Sequence, residues 1–299
     1  MTIPAIQAYS LADATAPILN KVGWSVDPQR AVLLIHDMQQ YFVNFYDQQQ
    51  EPISRVIQHI GQIRAAAEAA GIPVVYTAQP GDQPVEHRAL LSDFWGPGLK
   101  DDSALTQIVP ALRPAANDTV LTKWRYSAFQ RTELKKQMAQ WQRDQLIIVG
   151  VYAHIGCMQT AAEAFMLDIQ PFIVSDAVAD FSLQEHLMSL NYIAGRCGKV
   201  ITTETLQASI SSQENSTYPI PGSRHTLLKQ LADLLEIAPD EITADDSLLD
   251  FGLDSVRMMS LVGDWQQQGL NVSFIELAAV PCVESWWQLL SAKLEEAAA

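Results

Sequence analysis

No stretch of the 299 residues approaches the roughly 20 consecutive apolar residues that a bilayer-spanning helix requires. The opening MTIPAIQAYSLADATAP has no basic segment followed by an apolar one, so no secretory signal is expected and the cytoplasm is the default location. Cysteine is scarce: Cys157, Cys197 and Cys282 are scattered and form no CxxC pair, which argues against both a disulfide framework and a cysteine zinc site. His36, His87 and His154 fall at no recognisable zinc spacing, so no metal is expected. Basic residues are outnumbered, 19 Lys and Arg against 34 Asp and Glu, for a net charge of −15. Phosphate contacts demand clustered Lys and Arg, so nucleic acid is a poor partner. An acidic surface suits partners with basic docking faces, although an ordinary acidic soluble protein has the same charge.

What is present is enough apolar material, 48% of the chain, for real cores. The length fits one large domain or two unequal ones. The first two-thirds alternates strand and helix signals. AVLLIHDM (31–38), IPVVYTA (72–78), DTVLTKW (118–124), QLIIVGVY (145–152), PFIVSDA (171–177) and GKVITT (198–203) are short apolar runs of the kind buried in parallel sheets. Residues 53–71, 131–142, 156–168 and 182–196 carry helical spacing. The alternation predicts an α/β fold, a parallel sheet with helices on both faces in three layers. Stretch 79–117 breaks the pattern. It is rich in Pro, Gly and Asp, and a loop of that length is usually functional.

Beyond residue 206 the character changes. Residues 207–222 are polar and Ser-rich with Pro and Gly, which predicts a linker between a domain over 1–206 and another over 223–299. The last segment holds amphipathic helices around an acidic loop and predicts a four-helix unit. Within it, D-S-L-L-D-F-G-L-D-S (246–255) places Ser255 at the start of an apolar-periodic helix, after turn and cap residues Gly252 and Asp254. A bare Asp-Ser is far more often a simple helix cap. A phosphodiester on Ser255 would in addition sit against the positive end of the helix. Met259 lies one turn beyond it, on the same face. Met258 is the better candidate for the core.

Three short segments of the larger region end strands with reactive or small residues: Asp37 in LLIHDMQ, Lys123 in TKWRYSAF and Gly156 in GVYAHIGCM. Carboxyl ends of parallel strands are where open α/β sheets place their sites. Each residue alone has a bland reading, Asp37 as a turn residue, Lys123 as a solvated cation and His36 as a structural histidine.

The 246–255 loop with its following helix resembles the phosphopantetheine attachment site of acyl and peptidyl carrier proteins. That resemblance implies 4′-phosphopantetheine on Ser255, transferred from coenzyme A by a transferase that uses Mg²⁺. It also implies docking of adenylating and condensing enzymes on Met259, Phe274 and Ala278. Residues 15 to 205 resemble the isochorismatase-like hydrolase superfamily, most members of which carry an Asp, Lys, Cys triad. Here the nucleophile position holds Gly156, and Cys157 falls one residue late, turned by roughly 100°. Gln79, Arg88 and Tyr152 match substrate-binding positions, and Phe42, Trp95 and Phe94 are candidate apolar walls. The pairing of domains is similar to the isochorismatase/aryl carrier fusions of catechol siderophore pathways of the enterobactin and vibriobactin type. That implies hydrolysis of isochorismate to 2,3-dihydro-2,3-dihydroxybenzoate and pyruvate, with 2,3-dihydroxybenzoate carried later as a thioester.

The chemistry agrees with a glycine at 156, since isochorismate is an enol ether and needs a proton on its vinyl CH₂ rather than a thiolate. Asp37 is the expected acid, with a pKa raised by burial. Lys123 is expected to hold carboxylates, Gly156 to leave room for the substrate ring, and elbow N–H groups to bind an oxygen. The alternatives are a nicotinamidase-like amidase fused to a carrier, and an inactive hydrolase domain serving only as scaffold. Activity on 2-amino-2-deoxyisochorismate is also open. A homodimer through the larger domain is expected from the superfamily.

Overall fold

A computed structural model describes residues 3–15, 18–214 and 218–298. The chain divides into two compact units, 1–213 and 214–299.

The first unit is built on six parallel strands: β1 (Ala31–His36), β2 (Val74–Ala78), β3 (Thr119–Thr122), β4 (Gln145–Val151), β5 (Gln170–Ala179) and β6 (Lys199–Ile201). Their order is β3-β2-β1-β4-β5-β6. Every residue of β1 and β4 is buried, because both sheet faces are covered. Side chains alternate between the faces. Leu33, Ile35, Ile147 and Val149 pack with Val56, Ile60 and Ile63 of helix α1 (Ile53–Ala69). Val32, Leu34, Leu146 and Ile148 pack on the other side with helices α2 (Leu134–Gln140), α3 (Met158–Met166) and α4 (Leu183–Arg196). These are the three layers that the apolar runs predict. Strand order reverses between β1 and β4, and a crevice opens at their carboxyl ends, where such folds bind ligands.

The segment assigned as linker begins as a helix instead. Helix α5 spans Thr203–Glu214, so residues 207–214 continue a structured element. Leu206 and Ile210, four apart, are both buried in the larger unit's core and seat the helix. Its Ser-rich composition hides that anchoring in the sequence. The 79–117 segment is held at its stem by Asp82, whose N–H donates to the Leu99 carbonyl at 2.8 Å and whose carboxylate pairs with Lys100 at 3.0 Å.

The second unit contains α6 (Arg224–Leu235), α7 (Ser255–Gln267), α8 (Phe274–Ala279) and α9 (Val283–Ala298). Trp265 and Trp286 meet edge to face at 6.5 Å in its centre, both essentially inaccessible. Leu227, Leu231, Leu261, Leu277 and Leu290 close around them. No helix among the described residues is long and apolar enough to cross a membrane.

Candidate active site and carrier attachment site

Asp37 follows β1 at the strand-order reversal, with φ 50°, and its carboxylate is buried. Oδ1 accepts the Thr77 hydroxyl at 2.7 Å, and Oδ2 accepts Lys123 Nζ at 2.7 Å and Gln79 Nε2 at 3.4 Å. Lys123 arrives because β3 runs beside β2, its N–H donating to the Ala78 carbonyl at 2.9 Å. The raised pKa expected for Asp37 is not what the site gives. Burial pushes the carboxyl up, but the Lys123 ammonium, with smaller help from His36 and Thr77, brings it below its usual range. The resting pair is therefore carboxylate and ammonium.

The turn after β4 corrects two further expectations. The Tyr152 carbonyl accepts the N–H groups of Ile155, Gly156 and Cys157 at 3.1–3.2 Å, and the His154 N–H donates to Asp180 at 2.6 Å. Those donors are spent, so this elbow is not an oxyanion hole. Gly156 leaves room for a protein side chain rather than for a substrate ring. A Cβ there would lie 2.1 Å from Cε1 of His36. The His36 ring lies with Nδ1 2.9 Å from the Val151 carbonyl and Nε2 3.3 Å from that of Tyr126; burial pushes its pKa down to about 4, so it is neutral and donates to one of the two. A side chain at 156 thus competes with the imidazole for the same space.

Cys157 is fully buried in the core on the helix side, and burial holds its thiol well above the usual range. Cys157→Ala is accordingly expected to leave turnover almost unchanged, and a thiol-alkylating reagent should not inactivate the enzyme through this position. Inactivation traced to Cys157 by peptide mapping would overturn that.

Gln79, Arg88, Tyr152, Phe42 and Trp95 all line one pocket with Asp37, Lys123 and Gly156. Arg88 is buried, with Nε donating to the Gly96 carbonyl at 2.6 Å and its guanidinium lying over Gly98. Tyr152 donates to the Phe42 carbonyl at 2.8 Å and packs edge-on against Phe181. Phe94 is not among the walls: it is 63% exposed and borders a neighbouring groove. Arg125, Tyr126 and Phe181 also line the pocket, and Thr77 supports Asp37 from beside it; the sequence reading marks none of the four. Thr77 and Gln79 flank Ala78 at the end of β2, and that two-residue spacing was the available signal. His154, Asp180 and Glu185 bring possible metal-ligand atoms within 4.8 Å, yet Asp180 is taken up by His154 and by the Phe181 N–H, and Glu185 by Ser182. They tie the elbow to the end of β5.

In the second unit, Leu248 and Leu253 are buried and anchor the acidic loop from beneath, and Gly252 takes φ 91°. Asp254 caps α7 by accepting the Arg257 N–H at 2.8 Å. Ser255, the first helical residue, is exposed. Met258 is core, whereas Met259 is 52% exposed. Phe274 is half-buried and Ala278 exposed, and Ile275, absent from the sequence reading, is 79% exposed between them.

Comparison with known proteins adds to this geometry. Residues 31–205 match the isochorismatase domain, and residues 225–290 match the phosphopantetheine attachment site. The chain is 49% identical to enterobactin synthase component B of Escherichia coli (strain K12) over 295 residues, 99% of this chain and 100% of that protein. It is 48% identical to an isochorismatase of Bacillus subtilis (strain 168) over 304 residues, 99% of this chain and 97% of that one. Among solved structures, a cysteine hydrolase from Pseudomonas syringae pv. phaseolicola superimposes with a TM-score of 0.59 at 23% identity, covering 66% of this chain and 99% of that one, which speaks to the fold alone.

Proposed function

The chain belongs to the isochorismatase family, and from that premise we propose that it hydrolyses isochorismate and serves as an aryl carrier in siderophore assembly. The observation that carries the hydrolase half is the buried Asp37–Lys123 pair, supported by Thr77 and Gln79, beside a Gly156 that excludes a nucleophile. Asp37 delivers a proton to the vinyl CH₂ of the enol ether. Water adds to the resulting oxocarbenium and returns a proton to the Asp37 carboxylate. The hemiketal then collapses: its carbon–oxygen bond to the ring breaks, the ring oxygen takes up the hemiketal proton, and 2,3-dihydro-2,3-dihydroxybenzoate and pyruvate leave. Lys123 Nζ lies 2.7 Å from Oδ2. Burial by itself favours the neutral carboxyl, so a substrate carboxylate that engages the Lys123 ammonium and relieves its hold on Oδ2 raises Asp37 towards its protonated form. Arg88 and Gln79 hold the substrate meanwhile.

The carrier half rests on Ser255, whose exposed hydroxyl stands at the start of a thirteen-residue helix on an anchored loop. These residues fit phosphopantetheine, which when attached supplies the thiol that holds 2,3-dihydroxybenzoate as a thioester. The half-exposed Met259 and the Phe274–Ala278 stretch form the face offered to the transferase, the adenylating enzyme and the condensing synthetase. We place the protein in the cytoplasm, where coenzyme A is available, as a homodimer through the larger unit. An amidase reading is opposed by the His36 ring at the nucleophile position, and a scaffold-only reading by the intact carboxylate–lysine pair.

Pyruvate release from isochorismate tests the reading directly. In deuterated water the methyl group of pyruvate should gain deuterium from the medium at the carbon that Asp37 protonates. Pyruvate lacking that label would mean that the hydrogen came from the substrate ring and not through Asp37, and a covalent acyl adduct would return the domain to acyl chemistry.

A further inference from the structure

The charges lining the pocket are unlike those of the chain. The protein as a whole is strongly acidic, at −15. Inside the pocket a single carboxylate, Asp37, faces three permanent or resting cations, Arg88, Lys123 and Arg125, while His36 is neutral. Lys123 is already matched by Asp37. Two guanidiniums are left over, and neither has a carboxylate partner among the described residues. A pocket with two uncompensated cations is built for a dianion.

Arg88 supplies one of the two: Nε is committed to the Gly96 carbonyl, and among the described residues its Nη atoms have no acceptor. Arg125 has the complementary arrangement. Nη1 is pinned by the His87 carbonyl at 2.8 Å and the Trp124 carbonyl at 2.7 Å, which fixes the plane of the guanidinium and leaves Nε and Nη2 without an acceptor among the described residues. It is half-buried, and it borders both the pocket and the adjoining groove, so it stands at the mouth rather than at the floor. Arg131 lies in the same groove, which Glu163 also lines.

We propose that Arg125 is a substrate-binding residue that receives the ring carboxylate of the substrate at the pocket mouth. This rests on the hydrolase reading above. The vinyl CH₂ has to meet Asp37, which draws the enolpyruvyl carboxylate inward to Arg88. The ring carboxylate is then the outer one. Arg125 takes it through Nε and Nη2 as a bidentate pair, and the pinned Nη1 makes that orientation available before the substrate arrives.

The experiment compares full-length wild type with Arg125→Gln and Arg125→Lys. In Arg125→Gln, KM for isochorismate should rise roughly tenfold to a hundredfold, the worth of a charged hydrogen bond. Its kcat should stay within about threefold, because the contact is shared by ground and transition states. Lysine should recover part of the KM. Two inhibitors with one carboxylate each locate the contact. Inhibition by 2,3-dihydroxybenzoate should weaken in Arg125→Gln, and inhibition by pyruvate should not. An unchanged KM, a loss confined to kcat, or weakened pyruvate inhibition in place of the other would overturn the assignment while leaving the hydrolase reading intact. A wild type that releases no pyruvate from isochorismate would remove both.

Discussion

Asp37→Asn is expected to lower kcat by roughly 10²–10⁴, the usual worth of a general acid, while leaving KM near its original value. The amide keeps the shape of the carboxylate and still accepts from Lys123, but it has no proton to give to the vinyl carbon. Arg88 and Gln79 are untouched, so the substrate is still held. The substitution has a second consequence. Lys123 is 2% exposed, and without Asp37 its ammonium is buried with no counter-charge. Breaking a buried pair in this way costs about 3–5 kcal/mol. The variant should therefore melt lower, and kinetics need to be read well below its transition.

The pH dependence separates the two effects. Asp37 is depressed in the folded state, so the folded protein binds fewer protons than the unfolded one as pH falls into the carboxylate range. The pair's stabilisation is complete at neutral pH and is lost on acidification through the folded pKa, below the ordinary 3.8. Acid should therefore narrow the stability gap between wild type and variant, whereas the deficit in kcat at neutral pH remains. A fully active, folded Asp37→Asn enzyme would end the proton-transfer mechanism.

Much of this was legible beforehand for a simple reason. Strands covered on both faces must be apolar throughout, so AVLLIH and QLIIVGV announce themselves, and the residues that end them mark the crevice. Asp37, Lys123 and Gly156 were found that way. What the sequence could not give depends on distances between segments remote in the chain. The charge state of Asp37 is decided by an ammonium 86 residues away that approaches to 2.7 Å. The role of Gly156 is decided by an imidazole 120 positions earlier, and a glycine's reason for being small is invisible until its neighbour is seen. The spent N–H groups of the elbow follow from a single carbonyl taking three donors. Helix α5 was missed because two buried residues, Leu206 and Ile210, outweigh a polar composition. Arg125 was missed because no periodicity marks an arginine in a loop.

Ser255→Ala should abolish covalent loading of the carrier unit altogether. After incubation with coenzyme A, Mg²⁺ and a phosphopantetheinyl transferase, wild type should gain about 340 Da on one serine and the variant nothing. Two other serines make this a sharp test, since Ser247 lies in the same loop and Ser260 is exposed farther along α7. Exposure alone does not distinguish Ser260 from Ser255. Position does: only Ser255 lies in the first turn, where free N–H groups and the helix dipole favour the phosphodiester, and only it follows the anchored Leu253–Asp254 step. The Asp254 cap on the Arg257 N–H remains in the alanine variant, so the helix should start where it did and far-ultraviolet circular dichroism should not change. Pyruvate release should also persist, because Asp37, Lys123 and their partners all belong to the other unit. Modification that moved to Ser247 or Ser260, or hydrolysis lost together with loading, would contradict a division of labour between two separately folded units.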